Sequence, residues 1–531
     1  MRFLFSGDAA RSCDAPSQVV PAAPSPAVDR AARRRGNFLR RGVAATLLAL
    51  AAPFARADIA ATWNGTTGNW TDAARWNTNP DFPNNSAPNF YDATISAGAV
   101  TLNQNIAINQ FALGGGALAG SFTLSLAEGI AWSGGSLALT GGGRVTFGAG
   151  TASSVSGSPV FASGRIVGGG SATFSIPSGA TLTVLNNASF FADIASPSWT
   201  LNNVGTFIAR ATSGAGFTPM DAVFNNTGIV RVELAGGTSQ TLSLAGGGTH
   251  SGGFDVATGT ALEFGGRTIL QGGVAITGGG TAFVAGEVRA AGNFGASNLA
   301  VAVGALNVGG NIVTVTGGGL LVLDDGALTG GGTLNGGLTT YGTIAPGNGI
   351  GTLNVAGNAT FGPEAQLAIE ISGTSFDVLA ISGSAALGGE LLVSFPTGST
   401  PASGASFTIL TATVGRSGTF ANAPADGGSL ATVDGRGSFT IHYLANAVML
   451  DQFVRNPIFA EPQIAREPGG GWRTSFSGNP SRIYAIQFTP GLLPMDWQTL
   501  GTATADAQGR YFLIDLPPPG TARRFYRSVV P

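Results

Sequence analysis

Glycine triplets recur along this sequence, and their spacing limits what the chain can fold into more than any other feature. Triplets begin at Gly114, Gly141 and Gly168, each 27 residues after the last, and further triplets follow at Gly246, Gly278, Gly317 and Gly330. Between them, Val, Leu, Ile, Phe or Thr alternates with small polar residues. Such a period is typical of stacked repeats, in which each unit buries its apolar face against its neighbours. We therefore expect a long all-β solenoid over residues 111–456, with a period of 27 residues in its first part.

Short strands are predicted between the glycines. Residues 122–126 and 180–184 alternate with period two and are rich in Val, Thr and Phe, which indicates strands. Gly-Gly and Asn-Gly steps supply the positive φ angles that corners need. The motif Asn-Asn-x-Gly at 202–205 recurs at 225–228, and Asn186-Asn187 precedes both. Because Asn tolerates left-handed backbone, we expect a structural ladder of Asn side chains at equivalent turns.

The composition of the 531-residue chain fits a packed protein with few surface charges. It contains 84 Gly, yet 44% of its residues are hydrophobic, enough for a large core, and only 10% are charged. All Lys+Arg positions are Arg; nine of the 26 Arg and three of the 28 acidic residues precede Asp58, which leaves a net charge of −8 on the rest. This balance argues against nucleic acid and anionic membranes as partners. The lack of Lys also excludes lysine-dependent catalysis.

Residues 1–57 are predicted to form a disordered leader that ends in an export signal. A basic stretch at 33–41 precedes the apolar run 43–52, and Ala55-Arg56-Ala57 fits a cleavage site before Asp58. A buried helix is the alternative interpretation of the apolar run. No later stretch approaches the roughly 20 apolar residues of a membrane helix, so we expect no membrane span after cleavage. Cys13, the sole cysteine, lies in the leader, so we expect no disulfide in the mature chain.

Residues 58–110 are predicted to form an N-terminal aromatic cap. Trp63, Trp70 and Trp76 lie in this segment. They have two interpretations: they close the open end of the coil, where terminal repeats must be atypical, or they form a platform on which sugars stack. Capping is the favoured interpretation. In the second one Trp132 is a further ligand contact, and these four tryptophans are the ligand-binding candidates that the sequence offers.

A segment late in the coil resembles a known family. Residues 342–353, Gly-Thr-Ile-Ala-Pro-Gly-Asn-Gly-Ile-Gly-Thr-Leu, are similar to the GTIxPGNSxGTL signature of autotransporter-type passenger proteins. Residues 367–371, 376–379, 386–391 and 407–410 follow in the order that this family shows. The aromatic cap also looks like the start of secreted proteins with autotransporter-associated β-strand repeats. The resemblance implies a right-handed parallel β-helix outside a Gram-negative cell. Those autotransporters end in a membrane barrel, which is not among the domains predicted here, so the mode of surface attachment is open.

Residues 457–531 are predicted to form a separate module. Polar and aromatic residues are denser there, and we expect strands at 483–488, 497–500 and 524–527, with a hairpin turn at 506–509. A small β-sandwich of the fibronectin or immunoglobulin kind fits this pattern. The segment is similar to the C-terminal modules of many exported bacterial repeat proteins.

The sequence does not indicate a catalytic or metal-binding constellation. Asp324-Asp325 is the one adjacent acidic pair, and Gly326 after it indicates a turn. His250 is predicted in an exposed turn and His442 in a strand, and neither has the spacing of a metal ligand. Other acids are far apart in the sequence, although stacked coils could bring some together; they are Glu128, Asp193, Asp255, Glu263 and Glu287. The C-terminal cations are interpreted as solvated strand charges; they are Arg523, Arg524 and Arg527.

These patterns favour an exported structural or adhesin-like β-helical protein, at the outer cell surface or in the medium, with the periplasm as the alternative location. The expected partners are extracellular glycans or other cell-surface proteins. We expect no catalytic residue, no cofactor and no metal. The alternative function is an extracellular carbohydrate-binding or polysaccharide-degrading β-helix, which acids converging on one face of the coil would favour.

Overall fold

The computed structural model describes residues 58–529 except 194–198, 397–398, 403, 457–461, 479–481, 492–495, 507–508, 519–520 and 522. The predicted leader and export signal at 1–57 lie outside the described residues.

The chain from Ile59 to Gly418 winds through three parallel β-faces, and each complete turn contributes one strand to every face. Equivalent strands of neighbouring turns pair in register, as Leu201 does with Phe224 and Phe207 does with Val230. The strand backbones of inner turns therefore find hydrogen-bond partners on the turns before and after them. The predicted all-β parallel solenoid is confirmed.

The chain visits the faces in the order first, second, third. The strands of the first face are Arg144–Phe147, Arg165–Gly168, Ser189–Ala192, Ala215–Pro219, Ser239–Ser243, Thr260–Phe264, Thr281–Val284, Leu338–Thr340, Ala359–Phe361, Ser384–Leu387 and Gly415–Gly418. Four long strands bend at a corner and belong to the first and second faces; they are Ile106–Leu113, Thr123–Trp132, Leu299–Asn307 and Leu320–Gly330.

The other two faces are built in the same way. The remaining strands of the second face are Ile59–Thr62, Tyr91–Ile95, Ala152–Val155, Thr173–Ile176, Thr200–Asn203, Val223–Asn226, Gly248–His250, Thr268–Leu270, Glu287–Ala290, Thr343–Pro346, Gln366–Ser372 and Glu390–Ser394. The strands of the third face are Thr67–Asn69, Ala99–Leu102, Ala117–Gly120, Ser136–Leu139, Val160–Ser163, Thr181–Leu185, Thr206–Ala211, Ile229–Leu234, Gly253–Val256, Ala275–Thr277, Phe294–Ala296, Ile312–Val315, Gly332–Asn335, Thr352–Val355, Val378–Ile381 and Phe407–Ala412. A short 3-10 helix, Ala73–Arg75, and a two-residue strand, Ser375–Phe376, lie in the connections.

The glycine triplets lie at corners, but their spacing is not the repeat of the coil. Ile95, Leu113 and Trp132 are aligned on the second face, and they are 18 and 19 residues apart. The first of the three evenly spaced triplets joins the second face to the third, the next joins the third to the first, and the last joins the first to the second. Twenty-seven residues therefore correspond to one turn plus one face, and the predicted period is wrong.

Alternate residues of each strand point inward and form one continuous core. Within it the rings of successive turns form an aromatic column. The ring centroids of Phe161 and Phe190 are 5.5 Å apart, those of Phe190 and Phe207 are 6.1 Å apart, and those of Phe207 and Phe224 are 5.4 Å apart. All four rings are fully buried, and each contributes up to about 3 kcal/mol of hydrophobic stabilisation. Because every turn shares this core with its neighbours, the stack is stable without cross-links.

Both ends of the core are covered. At the N-terminal end, the ring of Trp76 packs 5.1 Å from Trp63 and 4.9 Å from Trp70, measured between centroids. At the other end the third face changes from parallel to antiparallel pairing. The antiparallel strands there are Ser429–Ala431, Gly437–Leu444 and Ala447–Arg455.

Two three-stranded antiparallel sheets follow the solenoid, in agreement with the predicted small sandwich. One contains Gln463–Arg466, Trp472–Ser477 and Arg510–Asp515, and the other contains Gln498–Thr504, Ile483–Thr489 and Phe525–Val529. Their buried core is separate from that of the solenoid and consists of Tyr484, Ile486, Ala505 and Tyr511. The predicted hairpin at 506–509 is wrong, because the strands on either side of it pair within different sheets. The chain passes from one sheet to the other between Gln498–Thr504 and Arg510–Asp515.

The corner glycine Gly247 should not tolerate a side chain. A Cβ added there would lie 2.2 Å from the backbone oxygen of Arg267 on the next turn. Gly214 has a similar backbone, with φ of +56° against +67°, but no heavy atom lies within 4 Å of its added Cβ. We expect Gly214→Ala to lower the free energy of unfolding by about 1 kcal/mol, the penalty of the left-handed conformation. Gly247→Ala should lower it by about 3 kcal/mol or more, because the backbone at Arg267 must move to make room. Urea-unfolding midpoints followed by circular dichroism test this, and equal losses in the two variants would contradict it.

Candidate functional site

The four tryptophans that the sequence offers as ligand contacts are buried. Trp63, Trp70, Trp76 and Trp132 are each at most 4% exposed. Their indole N–H groups donate to backbone oxygens at 2.8–2.9 Å. In this structure the rings belong to the core and its cap, and no ring face is open for a sugar to stack on.

Three carboxylates from different turns converge at the N-terminal end of the solenoid. Asp58, Asp92 and Glu128 place carboxylate oxygens within 4.8 Å of one another. The side-chain amide of Asn109 donates to Asp58 at 2.7 Å, between Nδ2 and Oδ2. Burial, and next the negative charge of Asp58, raise the pKa of Asp92. Parallel pairing creates the cluster: Asp92 is aligned with Ala60 on one side and with Gln110 on the other, and Gln110 is aligned with Gly129, the residue after Glu128.

This acidic cluster is the only group of three or more metal-ligating side chains among the described residues. Carboxylate oxygens are the ligands that hard divalent cations prefer, so the cluster has the donor set of a Ca²⁺ or Mg²⁺ site. Its convergence is also the observation that would favour the carbohydrate-active alternative. Glu128 is isolated in the sequence, and no local motif indicates which turns become neighbours.

A cleft of about 540 Å³ opens on the first face next to the acidic cluster. Its floor is a column of small or β-branched side chains from aligned strands, which includes Ala107, Ser125, Thr146 and Val167. The hydroxyl of Thr146 donates to that of Ser125 at 3.1 Å. Asn85 from the cap, Arg144 and Asp193 also line the cleft. The result is an open groove with hydroxyl groups on its floor and charges at its rim, which suits a polar ligand.

Other acids that are far apart in the sequence have a polar neighbour on an adjacent turn or lie at a corner of the coil. Glu287 pairs with Arg267 at 3.0 Å, and Glu263 accepts a hydrogen bond from Ser243 at 3.1 Å. Asp255 lies beside Arg231 in the third-face register. Asp324-Asp325 is exposed where strand Leu320–Gly330 bends between two faces, in keeping with the predicted turn. None of these acids belongs to another group of three or more metal-ligating side chains in the described part of the chain.

The passenger-like signature has a structural role in the fold. Its strand Thr343–Pro346 ends at a corner where Gly347 and Gly349 have positive φ. The buried carboxyl of Asp377 accepts hydrogen bonds from the backbone N–H groups of Gly351 and Glu370, both at 2.7 Å. Burial raises the pKa of Asp377 to about 6, against the effect of these two donors. The signature and the Phe-Asp-Val-Leu segment after it therefore form one loop-stabilising unit.

The predicted Asn ladder is confirmed for two turns. Asn203 donates to Asn226 at 2.8 Å inside the core, and Asn225 donates to Asn202 at 3.1 Å on the outside. Asn186 does not belong to this ladder, since it lies at a different corner and accepts a hydrogen bond from the backbone of Thr212. This part of the prediction is wrong, because doublets alone do not identify the corner.

His250 lies in the core, and its predicted place in an exposed turn is wrong. It ends strand Gly248–His250, is 0% exposed, and has no hydrogen-bond partner for either ring nitrogen. Its ring continues the aromatic column, with centroids 6.1 Å from Phe224, 5.3 Å from Phe254 and 5.9 Å from Phe264. Burial lowers the pKa of His250 to about 4. His442 lies in a strand as predicted, with its Nε2 3.1 Å from Asp451.

Arg524 is not the solvated charge that the sequence predicts. Its guanidinium donates two hydrogen bonds, at 2.8 and 2.7 Å, to the carboxylate of Asp515, which is 2% exposed. The hydroxyl of Tyr526 donates to the same carboxylate at 2.7 Å, and burial raises the pKa of this phenol. Arg527 packs on Trp497 and donates to Gln487. These cations therefore hold the sandwich together.

Comparison with known protein families and with characterised proteins finds no match to this chain. Within the described residues, no helix has both the length and the apolar character needed to cross a bilayer.

The free energy of unfolding should depend on pH through His250. Its pKa is about 4 in the fold against about 6.5 when unfolded, so its contribution is complete above pH 6.5 and is lost as pH falls towards 4. The difference corresponds to about 3 kcal/mol. We expect His250→Phe, which fits the aromatic column, to remove this loss. Urea unfolding of parent and variant at pH 4, 5, 6 and 7 measures it.

The comparison between parent and variant is necessary because Asp377 acts in the opposite sense. Its raised pKa makes its contribution largest at low pH and smaller as pH rises through about 6. That effect is common to both proteins and cancels in the difference. Identical pH dependence in parent and His250→Phe would show that the imidazole does not control stability.

Proposed function

We propose that this chain is an exported β-helical protein with a structural or adhesin-like role at the cell surface or in the medium. The observation that carries the proposal is the continuous core that runs between two covered ends of the solenoid. A stack of this kind needs neither a disulfide nor a metal to remain folded, which suits exposure outside the cell. The export-signal pattern at 1–57 and the passenger-like residues 342–353 support the same role. Extracellular glycans or other cell-surface proteins are the proposed partners.

An extracellular carbohydrate-binding or polysaccharide-degrading protein is the second candidate. The observation that favours it is the convergence of Asp58, Asp92 and Glu128 beside the first-face cleft. Glycoside hydrolysis uses paired acids. A carboxylate cluster can also hold Ca²⁺ or Mg²⁺ beside a bound polysaccharide.

Export is tested by placing charges in the apolar run of the leader. We expect the parent chain, made in a Gram-negative bacterium, to appear outside the cytosol with Asp58 as its first residue. The double variant Leu47→Arg/Leu48→Arg should remain in the cytosol, because an export signal needs an uncharged apolar segment. The matched control, Ala22→Arg/Ala23→Arg, adds the same charge upstream and should be exported like the parent. Fractionation and N-terminal sequencing measure the outcome, and cytosolic retention of all three chains would refute export.

The adhesive role is tested with the same strains. Cells that export the parent or the control should aggregate or attach to a surface more than cells that retain the Leu47→Arg/Leu48→Arg chain. Attachment is counted at equal expression. If exported and retained chains give equal attachment, the protein is not an adhesin.

A further inference from the structure

Two arginines lie directly next to each other on neighbouring turns of the first face. Arg144 and Arg165 are aligned in the parallel register, which places their backbones about 4.8 Å apart. Both are exposed. Arg144 donates to the hydroxyl of Thr123 at 3.3 Å, and the guanidinium of Arg165 lies 5.0 Å from the centroid of the Phe191 ring. Among the described residues, neither forms an ion pair with a carboxylate.

The two cations repel each other, and their side chains lie apart: Arg144 contacts Thr123 on the preceding turn and Arg165 contacts Phe191 on the following turn. Like charges directly opposite each other on adjacent strands destabilise a sheet. The chain has few charges, and its predicted mature part is acidic, so the local excess of cations is not a general property of the surface. An anionic ligand that binds both guanidinium groups would remove the repulsion.

Arg144 lies at the edge of the first-face cleft, and Arg165 is aligned with it on the next turn. Arg144 lines the cleft, and the hydroxyls of Ser125 and Thr146 lie on the floor beside it. The acidic residue of the cleft, Asp193, is four positions further along the strand than Ser189, which is aligned with Arg165. At about 3.3 Å per residue this separation is about 13 Å, so Asp193 does not neutralise the arginines. The cleft thus has a cationic edge and a hydroxyl floor.

The backbone hydrogen bonding of the first face favours an acidic polysaccharide over an acidic peptide as the ligand. Peptides that bind to sheets add main-chain hydrogen bonds at a free edge. The strands under the cleft already pair with the turns before and after them, so they offer no such edge. A ligand here must be recognised by side chains alone, through hydroxyls and carboxylates. A sugar polymer that carries acids provides both groups.

We propose that the first-face cleft binds a carboxylate-bearing polysaccharide, with sugar carboxylates at Arg144 and Arg165 and sugar hydroxyls over Ser125 and Thr146. The inference rests on the carbohydrate-binding part of the second candidate function. It requires neither export nor catalysis.

The test is binding of the purified chain to alginate, a polymer of uronic acids, by titration calorimetry at low and moderate salt. The double variant Arg144→Gln/Arg165→Gln should bind alginate at least tenfold more weakly, since charge-assisted contacts to the sugar carboxylates are lost. The control double variant, Arg231→Gln/Arg289→Gln, removes the same charge from exposed positions on the other two faces and should bind within twofold of the parent. The cleft variant should unfold at the same or a higher temperature, because a repulsion is removed.

Each other outcome overturns the inference in a distinct way. If both double variants lose the same affinity for alginate, binding depends only on the net charge of the protein. If poly-glutamate binds as tightly as alginate, the site does not require sugars. Dextran binding as tightly as alginate would leave a carbohydrate-binding protein but refute the acidic ligand. No binding to either polysaccharide would refute the proposed site, and it would leave the structural role and the acidic cluster untouched.

Discussion

Backbone hydrogen bonding between successive turns is the constraint on which the rest of the structure depends. Once each strand pairs with the same strand one turn away, every inward side chain lies above and below equivalent side chains. Apolar residues satisfy this arrangement at nearly every position, and the aromatic column from Phe161 to Phe224 is its most regular part. Buried polar residues such as Asn203 and Asp377 form hydrogen bonds, Asn203 with its equivalent Asn226 and Asp377 with two backbone N–H groups. His250 has no such partner, and its neutral form is the one that the core tolerates.

The same register organises the outside of the solenoid. Residues that are one or two turns apart in the chain come close together, so charges that are scattered in the sequence form small groups on the surface. The cluster of Asp58, Asp92 and Glu128 arises in this way, and so does the pair Arg144 and Arg165. The groups that carry chemistry on this fold therefore depend on which turns are adjacent, whereas the fold class follows from alternation within each strand and from the glycine corners.

This difference explains what the sequence could predict. Alternating apolar residues and glycine corners were sufficient for the all-β solenoid, and the recurring Asn-Asn motif was sufficient for the amide ladder at 202–203 and 225–226. The predicted period of 27 residues is wrong because glycine triplets occur at all three kinds of corner, so their spacing is not that of one turn. His250 was misplaced because flanking glycines suggested a loop, when they lie at the two ends of a three-residue strand. The acidic cluster and the cleft could not be read from the sequence, because turns of unequal length hide the register that assembles them.

The covered ends have a consequence for how such a chain changes over time. An interior turn packs mainly against the turns on either side of it. Duplication or deletion of one full turn therefore leaves the aromatic cap and the antiparallel strands at the other end intact. The height of the stack is thus a property that recombination within a gene can adjust, without the invention of a new core.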